Sequence, residues 1–290
     1  MKVQHILLSL ICLGIMPSTA GAQGGADLTD RVQAQAYDAR VHAQSELSRR
    51  HVAKAKLALA NGETKTAIDL LQQAIVAYPD GEDARVRLAY IHADRKQPNG
   101  VIEDLKPMVY PPPNRGGGWG AEITTRMMYV LALLDCGCWE EAANLYNASV
   151  KPGAAWSLPG GGPSHTFPEV QFRPDTADYQ DLRGLAHLIL GAYPPVNLEM
   201  AEQPSYMLGH IKELLRVFPG SADGRFIYAI LLGRMEKFDE ARAAFERASL
   251  NASPARKDEI KKALKAMDER VTQIKAWEAK EAQQAVGQHH

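Results

Sequence analysis

Ala67, Leu71, Ala74 and Pro79 stand at offsets 0, +4, +7 and +12, and the chain returns to this spacing twice. Ala241, Phe245 and Ala248 repeat it, with Pro254 one residue late; Ala142, Tyr146 and Ser149 repeat it, with Pro152 early. Steps of four and three put these residues on one stripe of a helix. Twelve residues before each first alanine stands another small or modest side chain, Ala55, Val130 or Ala229. Between the two lies a turn, at Gly62-Glu63, Gly137-Cys138 and Glu236-Lys237. The pattern specifies pairs of antiparallel helices. The small residues let the two backbones approach, the larger residue one turn on fills the groove between them, and the proline stops the second helix.

This pattern resembles the tetratricopeptide repeat, whose helix pair carries a small residue in each helix and a closing proline. Phe238 to Ala248 (FDEARAAFERA) is the best match, and Gly62 to Pro79 is nearly as good. Glu82 to Val109 reads as a degenerate unit, with Ala89 in place and Val101 where alanine is expected. Asp178 to Pro219 reads as a further unit, with Gly184 as its small residue and an insertion inside it. The implied fold is all-α, a right-handed solenoid of helical hairpins spanning residues 31–253.

The flanks differ. Lys2, the apolar run Ile6 to Met16 and Ala20-Gly21-Ala22 occur in the order of a secretory leader, which predicts cleavage after Ala22. The run is shorter than the ~20 residues a membrane span requires. No lipobox cysteine ends it, and the expected mature protein is soluble in the periplasm or secreted. Residues 23–30 read as a polar linker, and Thr29 to Asn61, free of proline and glycine, as one or two helices. From Pro254 to about residue 285, Ile260, Leu264, Met267, Val271 and Ile274 form a 4-3-4-3 stripe among charged residues. That stripe reads as a helix capping the last repeat, with a coiled-coil seam as the other use of it. Residues 286–290 read as a tail.

Three insertions interrupt the array, near 110–120, 151–174 and 191–203, and loops of that length in a compact domain are often functional. The first two should emerge on the same edge of a solenoid. Their aromatic and imidazole side chains, Trp119, Trp156, His165 and Phe167, then form a joint binding surface or anchor the loops to the helices. The second candidate surface is the concave groove lined by first helices, where the repeat alignment places Arg49, Lys56, Tyr90, Asp94, Met127 and Arg234. Their mixed character suits a peptide laid along it.

Little points to catalysis. The sequence lacks G-x-S-x-G, H-E-x-x-H, S-x-x-K and G-x-x-x-x-G-K motifs. Asp175, Asp178 and Asp181 read as a helix start after Pro174, not a metal site. His187 and His210 read as structural histidines. Cys136 and Cys138 either stay free thiols or close a small local disulfide. Asn147 and Asn251 head glycan sequons. With a net charge of -1 and no basic face, nucleic acid is not an expected partner. The expected protein is a monomeric, cofactor-free, metal-free and non-catalytic scaffold for another protein or peptide. The alternative is a module that binds a small ligand or glycan through the loop aromatics.

Overall fold

The computed structural model describes residues 24–111, 122–150, 155–156, 165–166, 170, 178–193, 202–250 and 252–287. The expected leader, 1–22, lies outside them. The described chain forms five helical hairpins and a final helix. The hairpins are α1 (Gly24–Ala60) with α2 (Thr64–Ala77), α3 (Glu82–Asp94) with α4 (Pro98–Val109), and α5 (Ile123–Asp135) with α6 (Trp139–Val150). Then follow α7 (Asp178–Ala192) with α8 (Gln203–Val217), α9 (Ala222–Arg234) with α10 (Phe238–Leu250), and α11 (Pro254–Gly287). Between α6 and α7, β1 (Ala155–Trp156) pairs antiparallel with β2 (His165–Thr166). The all-α hairpin array expected from the repeats is the observed architecture.

One turn is used four times. Gly62, Lys96, Gly137 and Glu236 all have positive φ, between 56° and 78°. In each case the next residue's amide reaches back along the helix: Glu63 to the Ala58 carbonyl, Gln97 to His92, Cys138 to Leu133 and Lys237 to Leu232, at 2.8–3.0 Å. This is the Schellman closure of a helix C-terminus. Its recurrence at four hairpin tips is the repeat expressed in backbone geometry.

The small residues pack as the spacing requires. Ala55, Ala67, Ala74, Ala89, Val130, Ala142, Ala229, Ala241 and Ala248 are completely buried, and so are the groove fillers Leu71 and Tyr146. The α7–α8 pair uses glycines instead. A Cβ on Gly184 would stand 2.3 Å from the Phe218 ring, and one on Gly191 would stand 2.2 Å from Ile211. Gly100 plays this part inside the second hairpin: the His92 ring lies over it, and His92 Nδ1 meets Asp104 Oδ2 at 2.8 Å. The core falls into two clusters, one around α1–α3 and a larger one from α3 to α11.

The ends need two corrections. The expected linker 23–30 is helical from Gly24, because Ala26 to Asp30 holds no breaker and α1 runs unbroken to Ala60. At the other end α11 continues past 285 to Gly287. It packs on α9 and α10, with Ile260 and Met267 buried. Arg256, also buried, donates to Asp223 at 2.7 Å, pairs with Glu259 and lies 4.7 Å over the Phe226 ring. α11 thus lies against the last hairpin. Beyond it the stripe runs out into solvent, and Trp277 is exposed.

Candidate functional site

The repeat register decides which side chains face outward from the first helices. Tyr90, Leu131 and Ile230 stand one residue after the buried Ala89, Val130 and Ala229; Asp94, Asp135 and Arg234 stand four further on. Residues four apart share a helix face. Tyr90, Asp94, Leu131 and Asp135 line one cavity of about 480 Å³. Ile230 and Arg234 line another, of about 640 Å³, between the last hairpin and α11.

Met127 corrects the groove assignment. It stands three residues before Val130 and one turn before Leu131, and like Val52, Val86 and Phe226 at the matching positions it is packed into the core, completely buried. Leu131, not Met127, is the groove residue of α5. Arg49 is exposed on α1 and held locally by Glu46 and Ser45; Lys56 is half-buried. Neither borders these two cavities.

The first cavity lies where α3, α5, α7 and α8 meet. Arg183 and His187 from α7 enter it with Tyr206, His210 and Glu213 from α8, and Lys96 and Gln97 stand at its rim. Tyr206 is the hub. Its ring meets Tyr90 edge-on at a centroid separation of 4.8 Å and His210 at 4.6 Å. The Tyr206 hydroxyl is buried beside the Tyr90 phenol, close enough for the two to interact but without a well-formed hydrogen bond.

Nδ1 of His187 lies 2.9 Å from Nδ1 of His210. Burial pulls the His187 pKa down to about 4, helped by the Arg183 charge, and that of His210 down to about 3, helped by His187. Both rings are neutral near pH 7. One Nδ1 must then donate to the other, which leaves the pair one Nε2–H and one Nε2 lone pair. Such groups hydrogen-bond well but are poor proton acceptors at neutral pH. Burial raises the Tyr90 and Tyr206 phenols as well, so they stay protonated. Asp135 accepts from Arg183 at 2.6 Å, and Glu213 pairs with Arg216 at 2.9 Å. The cavity offers hydrogen bonds, aromatic faces and three carboxylates, of which Asp94, its pKa pushed up by partial desolvation, is not engaged by Arg183 or Arg216.

The spacing-based reading finds Tyr90 and Asp94 but misses the α7–α8 contribution. A signal was there. Tyr206, His210 and Glu213 fall at i, i+4 and i+7 opposite the buried Met207, Leu208, Ile211 and Leu214.

Among the loop residues, Trp119 and Phe167 lie outside the described residues. Trp156 and His165 are direct partners in the β1–β2 register. The same insertion is tied back to α6, where the Asn147 amide donates to the Val170 carbonyl at 2.6 Å and accepts from the Val170 N–H at 3.0 Å. Asn147 is thereby committed to the protein, which disfavours it as a glycan acceptor; Asn251 lies outside the described residues. Cys136 and Cys138 stand as free thiols, with Cys136 donating to Asn99 Oδ1 at 3.2 Å. Of the three aspartates, Asp178 begins α7 and Asp181 lies in its first turn, while Asp175 lies outside the described residues. Among the described residues no group of three His, Cys, Asp or Glu side chains could hold a metal ion, and no helix is long and apolar enough to cross a membrane.

No family model matches the chain, and no curated protein matches it. Among solved structures it is similar to a thermophilic TPR protein of Thermus thermophilus, at 17% identity over 75% of this chain and 98% of that one, with a TM-score of 0.32. It is also similar to the TPR domain of P58(IPK), at 17% identity over 86% and 67%, TM-score 0.28. A tetratricopeptide repeat protein from Parabacteroides merdae aligns at 14% identity over 77% and 72%, TM-score 0.32. At these values the fold rests on the chain's own repeated turns and small-residue contacts, which are of the tetratricopeptide type.

Proposed function

We propose that this chain is an exported, non-catalytic interaction scaffold, periplasmic or secreted, that holds a segment of another protein in the cavity between α3, α5, α7 and α8. The observation that carries the reading is the convergence of polar and aromatic side chains from four helices on one open cavity. Elsewhere the hairpins bury mainly apolar side chains, and their buried polar groups, such as Asp104 with His92 and Arg256 with Asp223, are paired within the fold. Cavities of a few hundred Å³ with a few converging polar groups are the usual form of a recognition site. The depressed imidazoles speak against proton-transfer chemistry there.

Export rests on Lys2, the apolar run and Ala20-Gly21-Ala22. It predicts a mature N-terminus at Gln23, which N-terminal sequencing of the protein from its host compartment reads directly. The scaffold reading is tested with a photo-crosslinking residue placed in the cavity at Leu131 and, as a control, at the exposed Val76 on α2. A discrete adduct from position 131 and none from 76 is the expected result. Equal adducts from both positions, or none from 131, would sink the reading.

A small-ligand or glycan module built on the insertions is the second reading, favoured by the pairing of Trp156 with His165. It predicts that a soluble glycan quenches the tryptophan emission and that Trp156→Ala abolishes the quench.

A further inference from the structure

We infer that the cavity between α3, α5, α7 and α8 receives a basic side chain, arginine or lysine, from the partner's segment; the inference rests on the scaffold reading above. The argument is one of charges and lone pairs left over once internal pairings are made. Five charged residues line the cavity: Asp94, Asp135, Glu213, Lys96 and Arg183. Arg183 and Asp135 neutralise each other at 2.6 Å. Glu213 is held by Arg216. Lys96 sits on the α3–α4 turn with its side chain exposed. The two imidazoles are uncharged at neutral pH. Asp94 remains, at the C-terminal end of α3 on the open side of the cavity, with no hydrogen bond or ion pair among the described residues.

Asp94 is an exposed carboxylate with no partner of its own among the described residues, and an incoming cation pairs with it. Three further features select a cation over a neutral guest. The Tyr206 oxygen, buried beside the Tyr90 phenol without a well-formed hydrogen bond, has lone pairs to offer. The His187–His210 pair retains one nitrogen lone pair. The Tyr90 and Tyr206 rings supply the π surfaces on which a guanidinium or ammonium group rests. The end of α3 adds the negative pole of a helix dipole beside Asp94. An anion meets the Asp94 charge, the ring faces and the helix dipole with the opposite sign, and finds only the remaining Nε2–H and the phenol hydrogens in its favour. Arginine has the planar group that both stacks on a ring and forks to a carboxylate, so it should be preferred to lysine.

The test uses the full mature chain and four probes at millimolar concentration: the N-acetyl amides of arginine, lysine, norleucine and glutamate. Imidazole and tyrosine NMR signals are followed on titration. Saturable shifts at His187, His210 and Tyr206 with arginine and lysine, and none with norleucine or glutamate, are expected. Asp94→Asn should weaken arginine binding about tenfold, the scale of one charge-assisted contact. Asp94→Glu should restore part of it. Tyr206→Phe, which keeps the packing, should weaken it severalfold. Norleucine binding as well as arginine, no saturable shift with any probe, or unchanged affinity in Asp94→Asn would each overturn the inference. The crosslink at position 131 separates the two readings. An adduct retained in Asp94→Asn while the probes fail leaves the scaffold standing without the cation. No adduct in the unsubstituted chain removes the scaffold itself.

Discussion

The ring of Tyr206 on α8 meets the ring of Tyr90 on α3 edge-on, 4.8 Å between centroids, and so ties the fourth hairpin to the second across the third. In a regular solenoid each repeat touches only its neighbours. The extra contact closes the cavity over α5. It carries a cost, because the Tyr206 hydroxyl is buried unpaired. Tyr206→Phe should therefore raise stability by about 1 kcal/mol, and Tyr206→Ala should lower it by about 3 kcal/mol. Urea unfolding of the two variants checks both signs. A destabilised Tyr206→Phe would mean that the hydroxyl is satisfied in solution.

The four matching turns make a second prediction. Gly62 and Gly137 adopt positive φ freely, whereas Lys96 and Glu236 do so against the preference of an L side chain. Lys96→Gly should stabilise the chain by up to about 1 kcal/mol, although glycine's flexible unfolded state takes back part of the gain. Thermal melts of Lys96→Gly beside the unsubstituted chain give the answer.

Glycines in the fourth hairpin divide into two kinds. A methyl on Gly184 collides with Phe218, while one on Gly209, also helical, meets nothing within 4 Å. Gly184→Ala should cost about 1–3 kcal/mol as the helices are forced apart. Gly209→Ala should gain about 0.5–1 kcal/mol from helix propensity. Opposite shifts in midpoint, measured on the two single variants, confirm the close approach of α7 and α8.

The buried imidazoles make stability depend on pH with a definite sign. Their folded values, about 4 for His187 and about 3 for His210, lie below the ordinary 6.5. The unfolded chain therefore binds more protons between these limits. The contribution is full above pH 6.5, declines as pH falls, and is lost below the folded values. Arg183, Glu213, Asp135 and Arg216 surround His187 and share in its shift, and His187 in turn acts on His210. Asp104, pushed up to about 6 mainly by burial, acts in the opposite direction between 3.8 and 6. Comparison with a His187→Asn/His210→Asn double variant isolates the pair. From about pH 7 to about pH 5 the unsubstituted chain should lose on the order of 2 kcal/mol per imidazole relative to that variant. Parallel losses in the two chains would show that the rings are hydrated.

The fold was legible where one residue type had one use. Alanine at Ala67, Ala74, Ala241 and Ala248 has no purpose but close approach, and the spacing alone located the hairpins. Positive φ at Gly62 and Gly137 was equally readable, but Lys96 and Glu236 hide the same turn behind ordinary side chains. The candidate site was half legible. Tyr90 and Asp94 follow from the register of α3, whereas Met127, one turn before Leu131, is packed completely into the core. Tyr206 and His210 carry an i, i+4 signal on α8, but the insertion at 191–203 breaks the repeat count just before it, and His187 on α7 reads as an ordinary structural histidine. The contact between Tyr90 and Tyr206, on helices two hairpins apart, has no local signature at all.

The most direct measurement is the amide hydrogen-exchange footprint of the mature chain, free and bound to the protein crosslinked at position 131. The account predicts slowed exchange in α3, α5 and α8, with α10 and the projecting end of α11 unchanged. Protection confined to α1 or to the outer stretch of α11, with the cavity helices unaffected, would contradict it.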